Sequence, residues 1–454
     1  MAIEKLDTSM SQQKIGLGEK LAYGSGNMAS NIVFAAISNF IAFFYTDVVG
    51  IGAAAVGTLL FVSRIFDGFS DLGMGILIDK TRSKYGKARP WLLWMAAPFG
   101  IMTVLLFTVP DIGETGQLIY VYITYNLMVT IVYTAINTPY LTMNSLITQD
   151  QHQRSVLNLF GGFMATVATI FVGVATIPFI QTLGGGTKGW RLGFLIFGAV
   201  ATILFFINFF FTKERVTPSV TRSQNAVPLK LGIKALITNK YWIILLIFGI
   251  AAYINQGLMG ANVYYAQYIL GDTEIVGLIT MAMFIPVGVL MFILAPITKR
   301  MGKRNTILIG CIVQVIGQLI VAFNPISLPI VVIGTVLKGI GMAPLLGLLF
   351  AMLADTVEYG EWKSGVRTEG LVYSAGGVGA KIGLGLGAAI VGWVLAAGGY
   401  VGGADTQSAG AISSIKFLFI YLPIILAIIQ FIAIWFYKLD QQFDSILQDL
   451  QSRA

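Results

Sequence analysis

Long apolar runs, each near or above the ~20 residues a helix needs to cross a bilayer, recur along the whole chain. Twelve can be drawn, at about 22–45, 52–79, 91–110, 117–142, 158–183 and 190–212, then 242–270, 274–297, 305–323, 328–353, 369–399 and 413–438. The pattern predicts an all-α integral membrane protein of twelve transmembrane helices. The connections alternate in charge. Basic residues crowd Lys80 to Arg89, Lys213 to Lys240 and Lys299 to Arg304, whereas the opposite loops carry Asp47, Asp111, Glu114, Asp272, Glu274 and Asp405. Positive charge stays on the cytoplasmic side of short loops, so both termini are expected in the cytoplasm of a cell with the chain in its inner, or plasma, membrane.

A polar segment from Thr212 to about Lys240, with Pro218 and Pro228, separates six spans from six. Gly86-Lys87 follows the second span and Gly302-Lys303 the eighth, each in a basic loop, a repeat at close to half the chain length. Two six-span halves of this kind match the major facilitator architecture. The expected organisation is a cytoplasmic segment 1–21, a six-helix bundle 22–212, a central cytoplasmic loop 213–240, a second bundle 241–438 and a tail 439–454. Phe443, Ile446, Leu447 and Leu450 would give the tail an amphipathic helix.

The stretch 56–78, VGTLLFVSRIFDGFSDLGMGILI, is apolar enough to span yet carries Arg64, Asp67 and Asp71 near its middle. Steps of three and four residues place all three on one helical face. A charge at the centre of a spanning helix costs about 2.5–3.5 kcal/mol on insertion scales, so such residues face protein, neutralise one another or bind an ion. Asp67 and Asp71, one turn apart, cannot both ionise cheaply. They would share a proton or hold a cation such as Na⁺ on hard oxygens. Ser70 and, from another span, Thr134 would add neutral oxygens. The alternative is a structural Arg64–Asp67 ion pair with Asp71 left over from packing. Lys381, about a dozen residues into the eleventh span, would offset the excess negative charge; for Lys338, about ten residues into its own span, snorkelling or packing accounts for its place at least as well as a function. Asn31 and Asn137 would hydrogen-bond a polyol or hold helices together.

Composition narrows the classes further. Of 454 residues, 56% are hydrophobic and 11% charged, against about 25% charged in soluble domains. The net charge of +8 arises from short loops between spans, which argues against nucleic acid as a partner. A single cysteine, Cys311, and a single histidine, His152, leave no disulfide and almost no material for zinc or for Ser-His and Cys-His catalysis. No cofactor is expected beyond a coupling ion, H⁺ or Na⁺. Residues 1–20 lack the apolar core of a cleavable signal. The glycine run 383–387 follows no strand and reads as helix packing rather than a nucleotide loop.

Several motifs carry a family resemblance. They are Phe44-Tyr45-Thr46-Asp47-Val48-Val49-Gly50, the run from Arg64 to Asp71, Thr81-Arg82-Ser83-Lys84-Tyr85-Gly86-Lys87, the run from Ala354 to Lys363, and Gly365-Val366-Arg367-Thr368-Glu369-Gly370. Together they resemble the glycoside-pentoside-hexuronide:cation symporters of the major facilitator superfamily, over about residues 20 to 440. The resemblance implies sugar uptake driven by Na⁺, Li⁺ or H⁺, by alternating access, in a carrier that acts as a monomer. In melibiose-permease-like members the cation site uses two aspartates and an asparagine on the second span and a threonine on the fourth. These match Asp67, Asp71, Ser70 and Thr134. Ser70 replaces the asparagine, which tilts the expectation towards protons. The family's lysine on the eleventh span matches Lys381, and Arg154 would face Asp355 and Glu358 in a cytoplasmic gate. Asn31 and Asn137 stand where galactoside-gripping carboxylates would be, with Tyr133 and Lys381 as further sugar contacts. The neighbouring lysine, two tryptophans and an arginine are matched by Ser30, Leu141, Leu346 and Gly162. The loss of two cations points to a neutral pentoside or glycoside rather than a hexuronide.

Three alternatives accompany this reading. An uncoupled facilitator or exchanger would show counterflow without accumulation. An enzyme on lipid-linked sugars would need a catalytic group in a large loop, and the longest loop, 212–240, offers only Glu214 as a carboxylate. A sensor would bind ligand without flux.

Overall fold

A computed structural model describes residues 15–216 and 229–453. Pro218 and Pro228, residues 1–14 of the expected N-terminal segment and most of the central loop lie outside that range. Among the described residues every regular element is a helix. The first rod, α1 (residues 17–48), passes through π-type turns at Ile37–Ile41 and Phe44–Val48. After it come α2 (Ala53–Lys80), α3 (Arg89–Leu106), α4 (Glu114–Ile147), α5 (Gln151–Thr182) and α6 (Gly186–Phe211). A short α7 (Leu229–Thr238) precedes α8 (Lys240–Tyr268), α9 (Ile275–Met301), α10 (Lys303–Phe323), α11 (Leu328–Ser364) and α12 (Glu369–Ala397). The last rod is α13 (residues 409–435), followed by a tail helix α14 (Phe443–Arg453). Ten of these helices are long and apolar enough to cross a membrane, and eleven if α2, bent between Gly68 and Gly73, is one span.

Hydropathy marks where a helix is apolar, not where it stops. The tenth run was expected to end near 353, but α11 continues for 37 residues to Ser364. Backbone hydrogen bonding carries on into the polar turns that hold Asp355, Glu358 and Glu361, and Gly365 ends the helix in the left-handed conformation at φ +67°.

The chain divides into two compact units between Val220 and Thr221, with Val401–Ala404 counted with the first. In the first unit, α1 packs on α5 and α6, and α3 packs on α6. At the α3–α6 crossing Gly100 and Gly198 face each other so closely that a Cβ on either would lie within 2.8 Å of the other's carbonyl oxygen. In the second unit, α10 packs along α11 and α8 along α12. Gly383 and Gly387 of the glycine run lie against the backbone of α8 around Ile250 and Ile254, so the run is a packing seam.

The basic loops flanking the repeat are built alike in both units. Gly86 and Gly302 adopt positive φ, +110° and +81°, that side chains other than glycine rarely tolerate. In the first unit the Glu214 carboxylate accepts the backbone N–H groups of Lys87, Ala88 and Arg89 at 2.8, 2.8 and 2.7 Å, capping α3. Arg89 donates from Nε and Nη2 to the Phe209 carbonyl. In the second unit Asp440 accepts the Arg304 N–H at 2.9 Å, and Arg304 donates to the Trp435 carbonyl at 2.8 Å. Each arginine also lies over the ring of the residue whose carbonyl it binds, Phe209 or Trp435. Beyond this lock, α14 folds back on α11, with Ile446 buried and the Trp362 indole N–H donating to Asp449 at 3.0 Å.

Candidate functional site

The charged face of α2 meets α4 where α4 is irregular. Residues Leu127–Tyr133 form a π turn, and Thr134 follows it directly. The extra residue per turn shifts the side chains that follow, a geometry common at functional sites. The Thr134 hydroxyl lies 3.5 Å from the Val129 carbonyl of that turn and donates to Asp67 Oδ1 at 3.0 Å. Ser70 Oγ is 3.2 Å from Thr134 Oγ1 and donates to the Asp67 carbonyl at 2.9 Å. Asp67 Oδ2 in turn takes Arg64 Nη1 at 3.3 Å. Asp67 is 3% exposed, and Thr134 equally so.

Arg64 is held from the other side by aromatic rings. Its guanidinium lies 5.8 Å from the centroid of Phe34, which packs in turn against Tyr133. Asp71, half-buried one turn below Asp67, is close enough to act electrostatically on Tyr133, as are Arg64 and Asp67. The first unit therefore gathers Arg64, Asp67, Ser70, Asp71, Tyr133 and Thr134 into one cluster. Hard oxygens from two carboxylates and two hydroxyls suit Na⁺, and two carboxylates one turn apart equally suit a shared proton.

The other candidates are placed as follows. Asn31 donates within its own helix, to the carbonyl and side-chain oxygens of Asn27 at 2.9 and 3.0 Å. Asn137 is half-buried on α4, one turn beyond Thr134. Lys381 is half-buried on α12 of the second unit. Arg154 donates to the carbonyls of Thr148 and Ser145 at 2.7 and 3.3 Å. Asp355 and Glu358, the carboxylates expected in a gate with Arg154, each have a cationic partner inside the second unit. Lys303 Nζ binds both oxygens of Asp355, at 2.8 and 2.5 Å. Arg367 bridges Glu358, Glu361 and Glu369, and the first two raise its pKa further above the ordinary arginine range. Lys303 and Arg367 were missed as partners because their contacts join separate helices or a helix and a loop. The signal lay in their motifs: each stands next to or near a glycine that closes the turn.

Comparison with known proteins agrees with this architecture. A family model described as MFS/sugar transport protein matches residues 22–441. An isoprimeverose transporter of Lactiplantibacillus pentosus is 36% identical over 443 residues, covering 96% of this chain and 91% of that one. The chain belongs to this transport family, the glycoside-pentoside-hexuronide:cation symporters. A second relative of the symporters, the putative glycoside/cation symporter YagG of Escherichia coli (strain K12), is 33% identical and covers 96% of this chain and 95% of its own. Among solved structures, a bacterial homolog of the human lysosomal transporter Spinster superposes with a TM-score of 0.66 at 17% identity, over 95% of this chain and 97% of that one. That likeness concerns the fold alone. The resemblance read from the motifs is borne out, and as a member of a symporter family the chain is a transporter rather than an enzyme.

Proposed function

We propose that the protein takes up a neutral pentoside or glycoside together with one monovalent cation, a proton in preference to Na⁺, by alternating access. The carrying observation is the Arg64–Asp67–Ser70–Asp71–Thr134 cluster, in which two carboxylates one turn apart lie beside two hydroxyls, so that a bound cation lowers their negative charge. A neutral cluster is cheaper to move through low dielectric than a charged one, which couples cation binding to reorientation. The proton preference follows from Ser70, a hydroxyl already bonded to the Asp67 carbonyl, in place of an amide oxygen. Relatives named for isoprimeverose and for glycoside/cation symport support a glycoside cargo. Asn31, Asn137, Tyr133 and Lys381 serve as sugar contacts, and amides suit hydroxyls as both donor and acceptor. The termini lie in the cytoplasm, on the side of the basic loops.

The test is sugar-induced pH change in energy-depleted cells expressing the protein, across neutral and acidic sugars, with and without Na⁺. Alkalinisation with a neutral glycoside, abolished by Asp71→Cys, is the expected result. Uptake that requires Na⁺ and moves no protons overturns the proton preference. A second reading, an uncoupled facilitator, is favoured by one observation, the ion pair that Arg64 already provides to Asp67 at 3.3 Å. It predicts counterflow without accumulation and no effect of Asp71→Cys.

A further inference from the structure

The second unit contains a buried lysine for which the cation site has no use. Lys338 lies ten residues into α11, about 15 Å along the helix at 1.5 Å per residue and so near the middle of a ~30 Å hydrocarbon core. It is 8% exposed, so its ammonium does not snorkel to the surface. The next residue, Gly339, sits against the Met283 backbone of α9, where a Cβ would collide with the carbonyl. That contact fixes the rotation of α11 and turns Lys338 onto a small cavity. Asn255, Gln256 and Asn262 of α8 line the cavity, together with Met283 and Met342. No carboxylate lines it, and no hydrogen bond or ion pair reaches the Lys338 ammonium from any described residue.

Asn255 faces the same space, 5% exposed. Its Nδ2 donates to Gln314 Oε1 at 3.3 Å, but its Oδ1 is buried without a partner. The Lys338 ammonium is thus an unsatisfied donor beside three amide side chains, costly to leave unpaired in a low-dielectric interior. A cation would meet the ammonium with like charge, and a carboxylate would bring two oxygens to a space for about one. A hydroxyl accepts from the ammonium with its one oxygen and donates to a neighbouring amide. The space is sized for about one water molecule, and hence for one hydroxyl.

We infer that this cavity is a hydroxyl subsite, in which Lys338, beside the amides of Asn255, Gln256 and Asn262, holds a single hydroxyl of the transported glycoside. The inference rests on the glycoside reading above and adds to it a specificity-determining residue in the second unit. The experiment measures uptake of isoprimeverose and methyl β-xyloside, and of single-deoxy analogues of whichever is carried, into vesicles holding wild type, Lys338→Met or Lys338→Gln. Lys338→Met is expected to raise KM about ten- to hundredfold, the worth of one hydrogen bond to a charged group, with kcat little changed and part of the loss recovered by Lys338→Gln. For one deoxy position the wild type should lose a similar factor, and Lys338→Met should then cost nothing further. Independent losses at every deoxy position would overturn the inference and leave a water as the cavity's occupant. Loss of glucuronide uptake alone would overturn it in favour of a carboxylate reader. A wild type that carries glucuronides but neither neutral glycoside would overturn the glycoside reading and the subsite with it. Should Lys338→Met fail to reach the membrane, Lys338→Gln is expected to show a smaller loss that vanishes for the same deoxy position, and a loss that persists at every position would overturn the inference.

Discussion

Removing the charge of Asp67 should separate stability from coupling. The Arg64 and Asp67 side chains are 12% and 4% exposed and 3.3 Å apart. At an effective dielectric of about 20 their attraction is about 5 kcal/mol. Asp67→Asn leaves the guanidinium buried without its counter-charge, a loss of about 3–5 kcal/mol for a buried pair broken on one side. With roughly 2–4 °C of melting temperature per kcal/mol for a unit of this size, the midpoint should fall by about 6 °C or more. The double variant Arg64→Met/Asp67→Asn removes both charges and should recover most of that loss. Asp71→Asn keeps the Arg64–Asp67 ion pair and tests the second carboxylate's part in coupling. The assay is paired: the fraction monodisperse after heating in detergent, and cation-driven sugar accumulation in vesicles. The expected pattern is an unstable Asp67→Asn and a double variant closer to the wild type, with none of the three variants accumulating sugar. Accumulation by the double variant would refute the reasoning, because the carboxylates would then be serving the fold alone.

Other perturbations test neighbouring parts of the argument. Ser70→Asn supplies an amide oxygen beside Thr134 and should make uptake more dependent on Na⁺ and less on external pH, read as the Na⁺ concentration for half-maximal transport. Glu214→Ala orphans three N–H groups at the start of α3 and should cost about 2 kcal/mol or more. Asp440→Ala removes one such bond and should cost about 1 kcal/mol, so thermal melting should rank Glu214→Ala as the more damaging. Deleting residues 443–453 uncovers the α11 surface under Ile446 and should lower the melting temperature, with Trp362→Phe, which loses only its bond to Asp449, reproducing a small part of the effect.

Much of the architecture was legible along the chain because it depends on local periodicity. Apolar runs of spanning length, basic loops and the three-and-four spacing of Arg64, Asp67 and Asp71 need no tertiary information. The resemblance likewise named Thr134 and Ser70 by motif. Helix ends were less legible: α11 outruns its apolar stretch by more than two turns, since polar side chains do not interrupt backbone hydrogen bonding.

The sequence by itself determined that this is a helical membrane protein with a charged face on its second span, because both follow from residue type and spacing. Which groups meet was decided by tertiary packing. The π turn before Thr134 aims its hydroxyl at Asp67. Crossings at glycine set α11 against its neighbours and bury Lys338 on a small cavity that Asn255 also lines. Within the second unit Asp355 meets Lys303 and Glu358 meets Arg367, contacts that no single motif spells out. Ion pairs and hydrogen bonds act over a few ångströms between residues far apart in the chain, and only the folded helices bring them within that range.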